Sequence, residues 1–194
     1  THFAEQIAAA LRQYKPKVPV VYNCGGYESV ETLRSLEGLV DVYLPDFKYA
    51  DDALAVRLSN APDYSRTALA ALREMVRQTG ENVYGNDGLL QRGVIVRHLI
   101  LPAHTRNSLA VLDLLAAEFP GVPVSLMAQY VPMGRVPADA RYADVNRRVT
   151  AREYRKVLDH MMALDLDGFC QERSAAEARY VPDFTQFDAV PDQK

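Results

Sequence analysis

Four apolar, β-branched runs separated by helix-like stretches limit how this chain can fold. They are Val18 to Asn23 (VPVVYN), Val40 to Phe47 (VDVYLPDF), Val94 to Leu101 (VIVRHLIL) and Val122 to Tyr130 (VPVSLMAQY), with a weaker fifth, GFCQE, at Gly168. Each is apolar on both strand faces, as a sheet covered by helices requires. Between them lie amphipathic patterns. AEQIAAALRQY puts Ile7, Leu11 and Tyr14 on one side, and SVETLRSLEG covers Ser29 to Gly38. DYSRTALAALREMVRQTG aligns Leu69, Leu72 and Val76, and RNSLAVLDLLAAEF groups Leu109, Leu112, Leu115 and Phe119. A last helix starts at Thr150, which with Glu153 has the spacing of a capping box. Alternating strands and helices predict βαβ units and a parallel sheet.

An open doubly wound sheet and a (β/α) barrel both satisfy that pattern. No GxGxxG or GxxxxGK[ST] follows a strand, which disfavours the nucleotide-binding open sheets. The expectation is therefore α/β: an incomplete (β/α) barrel of parallel strands and outer helices. Residues 1–167 are expected to form that partial barrel, and 168–194 a final strand and an irregular tail containing YVPDF. The stretch from Glu81 to Gly93 reads as a surface loop. The chain opens Thr1-His2-Phe3 without Met, so it is expected to be a piece of something longer.

The 194 residues suffice for one domain with a sizeable core. A formal net charge of -3 and scattered Lys and Arg argue against nucleic acid or an acidic membrane as the main partner. No run is long enough to span a membrane and no secretory signal opens the chain. The two cysteines, Cys24 and Cys170, are too few for a disulfide framework and fit a reducing, cytoplasmic setting. Neither has a Cys or His at ligand spacing, so no metal site is expected within the chain.

In parallel α/β folds, ligands gather at the carboxyl ends of strands. Here those ends read YNCGGYE, PDFKY, RHLILPAH and AQYVPMG. Asp46 and Lys48 share one strand face, with Phe47 on the other. They form either a local ion pair or a site for a charged ligand, and a zwitterion such as an amino acid would suit both. Gly25 and Gly26 allow a backbone to approach a ligand closely, with Asn23 and Cys24 beside them, or serve turn geometry alone. Arg97 shares its face with Leu99 and Leu101; it binds a carboxylate ligand or pairs with a carboxylate such as Asp46. His98, on the opposite face, is expected to pack against a helix. His2 and His104 are weaker candidates for the mouth. Gln129 is placed to hydrogen-bond a heterocycle, with Val131 or Met133 packed on it, unless this stretch is ordinary core.

Taken in order, THF, VVYNCGGYESVETLRSLEGLVDVYLPDFKY, APDYSRTALAALREMVRQTG, RGVIVRHLILP and VSLMAQYVPM resemble the radical S-adenosylmethionine proteins related to pyruvate formate-lyase activating enzyme. The resemblance runs from the first residue to about Tyr154, and YVPDF in the tail fits it. It implies a partial (β/α)6 barrel with a [4Fe-4S] cluster and S-adenosylmethionine. Reductive cleavage of the sulfonium then gives a 5'-deoxyadenosyl radical that abstracts hydrogen, in activating enzymes from a glycine of a glycyl-radical enzyme. A flavodoxin or ferredoxin class electron donor is implied as well. The family's CxxxCxxC cluster loop is absent, so the chain is expected to be a C-terminal portion, inactive alone.

Residue by residue, Asp46 and Lys48 match the family's DxK strand end. Asn23 and Cys24 fall where the activating enzyme has an Asp-Thr pair near a cation. Arg97 and Leu99 match an arginine and an apolar residue that touch the methionyl and adenosyl parts. Val131, beside Gln129, replaces a histidine near adenine. The Gly25-Gly26 turn completes the implied binding set. Two rivals remain: a cluster-independent barrel enzyme using Lys48 as an amine nucleophile, and a non-catalytic binding domain. An exposed sheet edge would favour a homodimer.

Overall fold

The structure is a computed structural model and describes residues 3–14 and 16–170; YVPDF, His2 and the rest of the tail lie outside the described residues. The first helix, α1 (Ala4–Tyr14), leads into β1 (Val21–Cys24), α2 (Val30–Ser35) and β2 (Val42–Pro45). Two helices follow, α3 (Asp52–Ser59) and α4 (Tyr64–Thr79). Next come the short β3 (Val83–Tyr84), β4 (Leu90–Val94) and β5 (Val96–Leu99). The chain continues through α5 (Thr105–Glu118), β6 (Val124–Met127), α6 (Ala151–Ala163) and β7 (Gly168–Cys170). None of the described helices is long and apolar enough to cross a membrane.

The main strands run parallel: β1 pairs with β2, β2 with β4, β5 with β6, and β6 with β7. Between β4 and β5 only Ile95 intervenes, and its N–H still donates to the Tyr43 carbonyl (3.1 Å). Two residues on, Phe47 N–H donates to the Arg97 carbonyl (2.8 Å), and Asp46 bridges to Arg97 in parallel register. β4 and β5 thus run on as nearly one strand, joining β1–β2 to β6–β7. The sheet is open, not a closed barrel, which matches the incomplete architecture expected. The weak fifth run is β7.

Asn82 accepts from Val94 N–H (2.9 Å) and donates to Val94 O (3.0 Å), occupying a place in the ladder. A Cβ on Gly93 would sit 2.0 Å from Asn82 Oδ1, so only glycine lets that amide in. The sequence expectation of a loop at 81–93 is corrected here: β3 and β4 pair antiparallel, with a register shift at Val83/Tyr84. Helix α3 was also not expected; Asp51 caps it by accepting from Ala53 and Leu54 N–H.

Helix stripes deviate from the simplest periodicity. In α4 the buried side is Ala68, Ala71, Leu72 and Met75, with Leu69 and Val76 at its margin. In α1 the small residues Ala4 and Ala8 are buried, while Ile7 and Tyr14 are exposed. The capping box at Thr150 and Glu153 forms as its spacing requires. The core lies between the sheet and its helices, around Tyr43, Phe47, Val96, Ile100, Leu112 and Leu126.

Candidate functional site

Side chains alternate along a strand, so each strand divides its residues between the helix-packed face and the other. On β2 and the residues after it, Tyr43, Phe47 and Tyr49 pack among the helices, while Leu44, Asp46 and Lys48 point the other way and stay half-buried. Arg97 and Leu99 share that second face on β5, and register puts Asn23 beside Leu44. Asp46, Lys48 and Arg97 thus share one face.

Asp46 is the centre of the cluster. Arg97 donates to Asp46 Oδ1 from Nε (2.8 Å) and Nη2 (2.5 Å), and Lys48 Nζ lies 3.3 Å from Oδ2. One carboxylate thus holds two cations, leaving a net positive charge. Lys48 and Arg97 keep 39% and 29% of their side-chain surface exposed, so both can meet a ligand. Such a donor set recognises a carboxylate. Lys48 sits in an ion pair, not in the apolar pocket that activates a nucleophilic amine.

The backbone carrying this cluster is tied down from several elements. Tyr64, at the start of α4, receives Lys48 N–H on its hydroxyl (2.9 Å), and that hydroxyl lies 3.1 Å from Asp46 O and 3.3 Å from Gly25 O. Asn107 on α5 donates to Lys48 O (2.9 Å) and accepts from Ala50 N–H (2.9 Å) and Asp51 N–H (3.2 Å). His98 bonds the Phe47 carbonyl through Nδ1 (2.7 Å). Asp46 N–H donates to Cys24 O (2.9 Å), joining β1 to the same point. Tyr64 is itself packed between Tyr27, stacked at 5.7 Å, and Tyr49 and Phe47, edge-on. Burial pushes the Tyr64 phenol well above its ordinary pKa, so it remains a neutral hydroxyl.

The turn after β1 fits closely against this segment. Gly26 has φ +78°, and a Cβ there would meet the Asp46 carbonyl oxygen at 1.9 Å. Gly25 is exposed, and a Cβ on it would come 3.7 Å from Lys48 Nζ. Gly25 is thus the glycine that faces the cluster, and Gly26 the one the turn cannot replace.

Some residues singled out by sequence lie elsewhere. Cys24 pairs in register with Pro45 and packs against the core, and burial raises its thiol pKa to about 11. Its thiol is therefore not poised as a thiolate. His98 is fully buried among the helices, as expected. His104 does not reach the cluster: its Nε2 lies 2.6 Å from Asp144 Oδ2 and 3.1 Å from Arg57 Nη2. Gln129 is exposed, with its amide 3.8 Å from Met127 Sδ. Val131 lines a separate hollow against α3.

Tyr64 and Asn107 escaped sequence reading. They stand 16 and 59 residues from Lys48 and carry no motif. The one available signal was a polar residue on an otherwise buried helix side, since both Asn107 and its neighbour Ser108 are buried.

No group of three or more His, Cys, Asp or Glu residues able to hold a metal ion exists among the described residues. The donor set of Asp46, Lys48 and Arg97 fits a carboxylate-bearing organic ligand, whereas an iron-sulfur cluster finds no thiolate set among them.

Comparison with known proteins adds three findings. No family model matches the chain. An uncharacterized protein of Methanocaldococcus jannaschii is 29% identical over 162 residues, covering 83% of this chain. The chain spans 43% of that relative's length. Among solved structures, a domain of pyruvate-formate lyase-activating enzyme from Bacteroides vulgatus superposes with TM-score 0.60 at 14% identity, covering 87% of this chain and 91% of that one. At that identity the likeness is one of architecture: the chain shares the open, parallel α/β fold of that domain.

Proposed function

We propose that this chain forms the S-adenosylmethionine-facing part of a radical S-adenosylmethionine enzyme of the activating-enzyme type. The observation that carries the reading is the convergence of Lys48 and Arg97 on one carboxylate, at neighbouring strand ends, with a net positive charge. The fold shared with an activating-enzyme domain supports it. Lys48 and Arg97 would hold the methionyl carboxylate and Asp46 would fix both cations. The exposed Gly25, with Asn23, would border the ligand, and Leu99 would offer it an apolar wall. Cys24 and Gly26 belong to the proposed binding region by shaping the β1 turn.

Bound S-adenosylmethionine, with a [4Fe-4S] cluster held outside the described residues, would supply the radical hydrogen-abstraction chemistry. The described residues lack a thiolate set for that cluster, so its ligands would come from outside them. This chain's own residues bind and orient, and Tyr64 and Asn107 keep Lys48 in place while they do so. A glycine on a partner glycyl-radical enzyme is the proposed hydrogen donor, a flavodoxin or ferredoxin class protein the electron source, and the cytoplasm the setting.

The test is S-adenosylmethionine affinity of the chain by calorimetry. Lys48→Ala and Arg97→Ala should each weaken binding roughly tenfold or more, as expected for loss of a charge-assisted hydrogen bond. Unchanged affinity in both variants would defeat the proposal.

A further inference from the structure

Beyond the strand-end cluster, the molecule contains a second hollow of about 700 Å³ that the proposed function does not use. Helix α3 forms one wall and the segment from Met133 to Val145 the other, with Leu101 and Tyr130 beyond the ends of β5 and β6 between them. Asp46, Lys48 and Arg97 do not line it. Its size falls in the range of small-molecule sites.

The walls are fastened. Asp144 accepts from Arg57 at both carboxylate oxygens (3.0 and 2.6 Å) and lies 2.6 Å from His104 Nε2. Arg57 also donates to the Arg141 carbonyl (3.2 Å). On the α3 side the Tyr49 and Ser59 hydroxyls pair at 2.7 Å. Val145, 1% exposed, anchors the far end of the loop in the interior. The hollow is therefore built into the fold.

Its chemistry is specific. Val56 on α3 and Met133 on the loop are 48% and 51% exposed and line it from opposite walls. Two arginines line it, Arg57 and Arg135, and no acidic residue does. Asp144 already engages Arg57, whereas Arg135 is exposed and has no ion pair among the described residues. Asp139, the acid whose charge is felt by Arg135, is bound by Arg141 at 2.6 Å. A hollow of mixed lining, with apolar side chains such as Val56, Leu101 and Met133 and one available planar cation, complements an apolar body bearing one carboxylate.

We propose that this hollow is a binding site for a small aromatic or branched-chain carboxylate, with Val56 and Met133 gripping the body and Arg135 taking the anion. The proposal does not depend on S-adenosylmethionine binding elsewhere in the molecule.

The experiment titrates the isotopically labelled chain with 3-phenylpropionate and follows backbone amide shifts. Saturable shifts should cluster at Val56, Met133 and Tyr142. The neutral analogue 3-phenylpropan-1-ol should bind at least tenfold more weakly. Arg135→Glu, at an exposed position, and Val56→Asp should each weaken the acid at least tenfold. Equal binding of acid and alcohol, full affinity in Arg135→Glu, or shifts confined to the Lys48 region would overturn the assignment.

Discussion

The two faces of the parallel sheet use the same strands to different ends. Towards the helices, Tyr43, Phe47, Val96, His98, Ile100, Val124 and Leu126 are at most 2% exposed. On the other face Leu44, Ile95, Leu99 and Ser125 stay only half-buried, and Asp46, Lys48 and Arg97 gather among them. An all-parallel sheet normally has both faces covered. Here the helix-packed face is the more completely buried, and the second face, which also buries Val42 and Met127 but leaves its other residues half-exposed, carries the charge. A side chain's contribution should therefore depend on which face it takes, even between adjacent residues.

The largest expected contrast is between two apolar residues on opposite faces. Phe47→Ala should cost about 3–5 kcal/mol, from lost burial plus a cavity. Leu99→Ala, half-exposed, should cost on the order of 1 kcal/mol or less. Urea unfolding of both variants checks this, and equal losses would break the comparison.

A second contrast lies in pH. Burial lowers the His98 pKa to about 4, against 6.5 for an unperturbed histidine, so the folded chain holds it neutral. Between those values the unfolded chain binds the extra proton. Stability from neutral His98 is complete above about pH 6.5 and is lost as pH falls towards 4, amounting to roughly 3 kcal/mol. Unfolding midpoints at pH 7 and pH 4.5 should separate further in the wild type than in His98→Gln. Parallel pH curves would show that the buried face does not exclude the charge.

Tyr64 links the two faces, since its ring is buried while its hydroxyl fixes the backbone under Lys48. Tyr64→Phe keeps the ring but leaves Lys48 N–H without its acceptor, at about 1–3 kcal/mol. A purely structural role predicts that stability falls and S-adenosylmethionine affinity does not. A positioning role predicts that both fall, with affinity recovering in no variant that lacks the hydroxyl.

The smallest stability effect is expected at the cluster itself. Lys48→Ala removes a half-exposed ion pair and should shift stability by no more than about 1 kcal/mol. A larger loss, read from the urea midpoint, would mean that the pair serves the fold more than a ligand.

Sequence by itself determined the elements that depend on neighbours along the chain. Alternating β-branched runs gave parallel strands, the Thr150–Glu153 spacing gave a capped helix, and period two put Asp46 with Lys48 and Arg97 with Leu99 on shared faces. It also foresaw His98 on the helix side. These follow from backbone geometry repeated every two or 3.6 residues. Only the tertiary structure decided that Asp46 joins Arg97 to Lys48, that Cys24 packs against the core, and that β4 runs on into β5 across Ile95. The same holds for Tyr64 and Asn107, which reach the cluster from separate helices. Each of these depends on atoms brought together across tens of residues, and a side chain's hydrogen-bond partner there leaves no periodic trace in the sequence.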